Sequence, residues 1–248
     1  MKIINNKFVF RCLTKVRDML FSLLGLNKLK GDIADLLWCI HKLEMSRMDS
    51  YRNEILFEMK YSQKSVPHTQ HVETRIVNKQ KFDTMVQMNE LVLNIGSGHK
   101  GSDQMLNVDI RELPNVDIVA DATDIRLPKG IAQGVFSSHV LEHFPHENLR
   151  RVVLLNWVGL LCEGGFFRAV VPDAEAMMAA FTRGDMSFDD LRTVTFGLQE
   201  YNGDIHYTMF SKDSLKLLLE EAGLHDIRYV ATSRRNGLCL EMEVLAYK

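Results

Sequence analysis

An open α/β sheet of mostly parallel strands, preceded by a helical appendage, is the fold class the sequence predicts, and three observations carry it. Four short apolar runs each end in polar residues: Leu91-Val-Leu-Asn-Ile95, Leu106-Asn-Val-Asp-Ile110, Val116-Asp-Ile-Val-Ala120 and Gly134-Val-Phe-Ser-Ser-His-Val140. Short runs of this kind are the pattern of strands buried on both faces, as parallel strands are. Gly96 and Gly98 follow the first run at once, so the backbone can turn sharply and approach a ligand there. Farther on, strand patterns alternate with helical ones, which is how parallel sheets are wound.

The elements follow in chain order. Residues 1–30 are locally basic, with Lys2, Lys7, Arg11, Lys15, Arg17, Lys28 and Lys30 against Asp18. Phe10, Leu13, Val16, Leu20 and Leu24 recur at three- and four-residue spacing, which predicts a helix with an apolar stripe between cations. Such a helix either packs on the rest of the protein or lies on an anionic membrane surface. A second helical pattern over 31–61, through Ile33, Leu37, Ile40, Met48, Tyr51, Ile55 and Met59, fits a dimerising hairpin. Residues 62–87, polar at first and containing Pro67, His68 and His71, read as a linker or a lid. The α/β domain then occupies 88–248. Leu149, Val152, Val153, Trp157 and Leu160 give 145–161 an apolar helical face for covering a sheet. A fifth strand over 166–171 stops at Pro172, and Asp173 caps a helix over 174–181. Ser211 caps a helix over 212–222, which Gly223 ends, and strands over 226–232 and 238–246 close the domain.

Composition narrows the function classes. The chain has 248 residues, 46% of them hydrophobic, and a formal net charge of −2, so there is no basic excess to suggest nucleic acid. Cys12, Cys39, Cys162 and Cys239 are scattered, without the spacing of a disulfide framework or a metal site, which fits a reducing cytoplasm. The histidines and acids likewise lack a compact ligand spacing, so no metal is expected. The uncharged stretch 19–27 falls far short of the ~20 apolar residues of a membrane span, and no cleavage site follows it. The expectation is a cytoplasmic protein that keeps its N-terminus, with residues 1–30 as the candidate contact to the inner face of the membrane.

The first two strands suggest a nucleoside-containing cofactor. Asp109 closes the second run eleven residues after Gly98, at the strand end where a carboxylate holds a ribose diol. Ten residues separate Ile95 from Leu106, whereas a parallel crossover usually needs about a dozen or more. The helix between them must be very short or missing. That disfavours a nicotinamide-dependent reductase, whose glycine loop opens a helix that holds a pyrophosphate.

Taken together, Leu93-Asn-Ile-Gly-Ser-Gly98, Asn107-Val-Asp109, Val119-Ala-Asp-Ala122, Ser138-His-Val-Leu-Glu-His-Phe-Pro145 and Glu163-Gly-Gly-Phe-Phe-Arg-Ala-Val-Val-Pro-Asp173 resemble class I S-adenosylmethionine (SAM) dependent methyltransferases. The likeness is greatest to the type 11 group associated with bacterial polysaccharide synthesis, and it runs from about Met88 to the C-terminus. It implies a Rossmann-like sheet whose last strand is antiparallel, and SAM as cofactor. It also implies that Gly96, Ser97 and Gly98 line the methionine part and that Asp109, with Ile110 beside it, takes the ribose hydroxyls. Asp121 would take the adenine amine, with the Ala122 amide at the ring edge. Ser138, His139 and Val140 would form the wall beneath the sulfonium. Asn94 and Lys100 depart from the family pattern, which often has an acid and a glycine there. The competing reading of Asp121 is a turn residue leading into Thr123.

Transfer to a hydroxyl profits from a general base, and histidine is matched to neutral pH. His206 lies in a Gly- and polar-rich insertion over 196–207, where the resemblance places the acceptor pocket and implies Gln199, Tyr201 and His206 as its residues; His143 is the second candidate base. The competing reading of His206 is a ring that bonds a loop carbonyl. The acceptor would be a sugar, a glycan intermediate or a related small molecule. A SAM-fold subunit without activity, scaffolding a membrane-associated assembly, is the alternative from another class. Amino-directed DNA methylation is disfavoured, since Ser137-Ser-His-Val140 stands where its Pro-Pro-aromatic turn would be.

Overall fold

The computed structural model describes residues 72–99, 101–199 and 204–248, together with 22, 32, 36–42, 44, 45 and 48. The chain divides into two units, Met1–Pro67 and His68–Lys248. In the first, residues 36–42 are helical, with Leu36, Leu37, Trp38 and Ile40 exposed. The rest of the helical pattern over 31–61, and nearly all of residues 1–30, lie outside the described residues. No helix among the described residues is long and apolar enough to cross a membrane.

The second unit is built on one eight-stranded sheet. Its strands are β1 (Arg75–Ile76), β2 (Val92–Ile95), β3 (Leu106–Asp109), β4 (Ile118–Val119), β5 (Ala132–Ser138), β6 (Leu161–Pro172), β7 (His225–Asn236) and β8 (Cys239–Tyr247). They lie in the order β1-β4-β3-β2-β5-β6-β8-β7. The run from β4 to β6 is parallel, whereas β1 is antiparallel to β4 and β8 is antiparallel to both of its neighbours, β6 and β7. This is the mostly parallel Rossmann-like sheet with an antiparallel last strand that the sequence predicts.

Central position explains the composition of the strands. Leu93, Ile95, Leu106, Val108, Ile118 and Val135 are buried, as strands covered on both faces require. Helix α1 (Lys79–Gln87) is followed, later in the chain, by α2 (Leu154–Leu160), entered through a π-helical turn, Leu149–Val153. Trp157 of α2 is fully buried near Phe144 and Phe167, and its indole N–H donates to the Ala122 carbonyl at 2.8 Å. That bond satisfies the one polar group such a ring carries into a core. Asp173 caps α3 (Ala174–Arg183) by accepting from the Ala176 N–H at 3.0 Å, and its other oxygen accepts from the Ser233 N–H. Ser211 caps α5 (Lys212–Glu221) in a capping box with Ser214.

Three elements were not expected. Residues 75–87, read above as part of a linker or lid, supply β1 and α1 to the sheet unit. Asn78 ties them down: its side chain donates to Asp117 and caps α1 by accepting from the Lys81 N–H. Helix α4 (Phe188–Phe196) occupies a stretch to which the periodicity assigned no element, and none of its residues is buried. Between β2 and β3 the described residues contain no helix, as the short crossover requires.

Candidate functional site

Ligands of open α/β sheets sit beyond the carboxyl ends of the strands, and here those ends frame two adjoining clefts. One, of about 410 Å³, is lined by residues that include Asn94, Gly96, Ser97, Gly98, Ser138 and His139. The other, of about 430 Å³, is lined by Gly96, Asp109, Ile110, Asp121, Ala122 and His139 among others. Gly96 and His139 belong to both, so the clefts meet at the tips of β2 and β5. All nine residues expected to hold a cofactor line one cleft or the other.

The glycine turn is shaped by contact. Gly96 has φ +71, and a β-carbon added to it would lie 2.4 Å from Val140 Cγ2, inside any allowed approach. Ser97 is buried and its hydroxyl has no hydrogen-bond partner. Asn94, which departs from the acidic pattern, donates its amide to Asn107 Oδ1 at 3.0 Å and so locks β2 to β3.

Asp109 is buried at the tip of β3. Its carboxylate accepts from the Gly98 N–H at 2.8 Å and from the Arg111 N–H and Nε at 3.0 Å each. Burial alone would raise its pKa; the Arg111 side chain, the Arg111 N–H and the Gly98 N–H outweigh it and hold the group below the usual carboxylate range. It is therefore an anion, and it fixes the glycine turn directly. Asp121 has the turn role: Oδ1 accepts from both the Thr123 N–H at 2.8 Å and the Thr123 hydroxyl at 2.7 Å.

His139 stands at the junction, at φ +55, a left-handed backbone rare for a residue with a side chain. Its Nε2 lies 2.9 Å from Glu241 Oε2 and its Nδ1 3.2 Å from Glu142 Oε1. Burial disfavours the charged ring, but the two carboxylates prevail and raise its pKa to about 9, so it is an imidazolium at neutral pH. Glu241 in turn accepts from Arg234 and Asn236, and Arg234 also reaches Glu243, which pairs with Arg168. Opposite charges alternate along this whole chain of side chains.

Next to it, His143 and His206 meet edge to face with ring centroids 4.8 Å apart. Each has Nδ1 on a backbone carbonyl, His143 on Ile205 at 3.2 Å and His206 on Val194 at 3.0 Å. Neutral rings so held carry the proton on Nδ1 and present the Nε2 lone pair. Burial is the main cause of a lowered pKa at His206, which keeps that ring neutral. The Tyr207 and Thr208 N–H groups donate to the Glu142 carbonyl at 2.8 and 3.3 Å, which straps the His206 segment onto the turn after β5. Glu142, His143 and His206 each offer a ligand atom within 4.8 Å of the others. Gln199 is exposed, donates to the Phe196 carbonyl and lines neither cleft. Tyr201 lies outside the described residues.

Sequence reasoning missed Glu142, Asn236, Glu241 and Arg111. One signal was available. Glu241 and Glu243 alternate with Met242 and Val244 along an interior strand, and buried acids there demand partners.

No family model and no curated protein matches the chain. Among solved structures it is similar to a SAM-dependent methyltransferase from Archaeoglobus fulgidus, at 17% identity over 79% of this chain and 99% of that one, with a TM-score of 0.44. Similar too are SAM-dependent methyltransferases from Methanosarcina mazei (13% identity, 66% and 96% covered, TM-score 0.45) and Mesorhizobium loti (16%, 64% and 90%, 0.44).

Proposed function

We propose that the protein is a SAM-dependent methyltransferase that methylates a hydroxyl of a sugar, a glycan intermediate or a related small molecule in the cytoplasm. The observation that carries the reading is the pair of clefts meeting at Gly96 and His139, with the anionic Asp109 at the tip of one strand and the unpartnered Ser97 hydroxyl beside the glycine turn. A sulfonium nucleoside fits this donor set: Asp109 accepts ribose hydroxyls in charge-assisted bonds, Arg111 giving up part of its hold, and Asp121 Oδ2 is left for an adenine amine. The crossover without a helix suits a cofactor that carries no phosphate.

SAM would supply an electrophilic methyl group. The chain's own contribution is then alignment, exclusion of water and removal of one proton. His206 or His143, each with Nδ1 held by a carbonyl, takes the acceptor's hydroxyl proton at Nε2. His139 is already protonated and cannot serve as that base; it holds Glu142 and Glu241 in place.

Calorimetry tests the cofactor: SAM and S-adenosylhomocysteine bind one per chain, NADH does not, and Asp109→Ala weakens SAM by about 1.5–3 kcal/mol, the scale of a bond to a charged group. Unchanged affinity in that variant removes the ribose assignment. With labelled SAM and a lysate as acceptor source, His206→Ala should lose a factor of about 10²–10⁴ in turnover while SAM affinity stays.

A further inference from the structure

We propose that Glu142, His143 and His206 form a binding site for one divalent transition-metal ion, with zinc as its representative. Nothing in the spacing announces it, because Glu142 and His143 are neighbours and His206 comes a whole insertion later. The strap of Tyr207 and Thr208 on the Glu142 carbonyl is what assembles it.

Two features make this a built site. Both imidazoles already have the arrangement that orients metal-bound histidines, an Nδ1–H donated to a backbone carbonyl and a free Nε2 lone pair. Glu142 is 1% exposed; its Oε1 lies 3.2 Å from Nδ1 of the charged His139, and its Oε2 has no hydrogen-bond partner. A buried carboxylate is costly unless paired or coordinating, so His139 compensates one oxygen and an ion would compensate the other.

The ligand set selects the ion. Two neutral imidazoles and one carboxylate suit zinc and its first-row neighbours, and a three-ligand set leaves a position open; calcium and magnesium want oxygen ligands. The ligand atoms now lie within 4.8 Å of one another, and a tetrahedral zinc would bring them to about 3.4 Å, so the strap would close by about an ångström on binding. The inference is independent of methyl transfer, since the ion would bind whether or not the clefts hold SAM. Where both hold, the ligated histidines would orient the acceptor and no longer take its proton.

The test uses the full chain, stripped with a chelator and titrated with Co²⁺, followed by its visible absorption, and with Zn²⁺ by calorimetry. One ion per chain is expected, with Zn²⁺ displacing the Co²⁺ spectrum. His143→Ala and His206→Ala should each weaken binding at least about a hundredfold, and Glu142→Gln should do the same if it folds. His225→Ala, an exposed histidine outside the cluster, should change nothing. Circular dichroism is the check that the His206→Ala chain is folded, and the decisive result is the one from that variant. Absence of stoichiometric binding, or unaltered affinity in folded His206→Ala, overturns the proposal. SAM binding, measured on the same samples, separates its failure from failure of the methyltransferase reading.

Discussion

Replacing His139 by asparagine should remove a pH dependence from the stability of the fold. The ring lies between Glu142 and Glu241, and these carboxylates raise its pKa from 6.5 to about 9 against the opposing effect of burial. In the unfolded chain the ring returns to its ordinary value, so between these limits the native state holds more protons. A raised pKa means that the stabilisation is fully present below pH 6.5 and is lost progressively as pH rises to and through about 9. At ~1.4 kcal/mol per pH unit the rise corresponds to about 3 kcal/mol, which the 30% exposure of the ring trims to about 2–3 kcal/mol. Asparagine is the right replacement because it tolerates the left-handed backbone at φ +55, so the variant tests charge and not strain. Urea unfolding of both proteins at pH 6.5 and pH 9 measures the effect. Wild type should lose about 2–3 kcal/mol more than the variant over that interval, other titrating groups cancelling in the comparison. Parallel losses in the two proteins would refute the imidazolium held between two carboxylates, and with it the exclusion of His139 as the base.

Two glycines test the site's geometry from opposite sides. Gly96→Ala puts a methyl 2.4 Å from Val140 Cγ2 at φ +71, and should cost about 1–3 kcal/mol in thermal or urea unfolding while reducing SAM affinity at least tenfold; full affinity would show that the glycine turn does not approach the cofactor. Gly197→Ala puts a methyl 1.8 Å from the Asp204 carbonyl at φ +78, in the loop that carries His206, so it should displace that loop and reproduce the turnover loss of His206→Ala with SAM affinity intact. An active Gly197→Ala chain would sever the link between the loop and catalysis.

What the sequence made legible follows from burial. Strands β2, β3 and β5 read clearly because central parallel strands are apolar runs, and the polar groups at their ends could be read as site residues for the same reason. Elements with little buried surface leave a fainter trace: β1 is two residues long, and neither α1 nor α4 has a fully buried residue, so their periodicity is faint, although Phe82 and Met85 of α1 pack on the core and Phe188 of α4 on Phe181; the caps at Asn78 and Ser187 mark where the two helices begin. The residues that line the two clefts were within reach because they lie on consecutive strand ends. The charged cluster was not, because its members meet only through topology.

That topology explains why Glu241 and Asn236 reach the site at all. Strand β8 runs antiparallel to β6, with Glu241 opposite Pro172 at the carboxyl end of β6 and Tyr247 opposite Phe166 near its middle. The beginning of β8 and the end of β7, joined by the Asn236–Cys239 turn, are thereby placed at the carboxyl edge of the sheet, beside His139 just past β5. A parallel last strand would have put its C-terminal residues there instead, and Glu241 would have been buried at the far edge without His139. The inserted antiparallel strand thus does more than close the sheet. It supplies the carboxylate that keeps His139 charged, and a charged His139 sits against Glu142, the residue whose backbone straps the His206 loop and whose carboxylate offers an oxygen within 4.8 Å of a nitrogen of each histidine of the pair. Removing Glu241's charge should consequently be felt at His206, a coupling through His139 and Glu142 that no contact between the two residues would suggest.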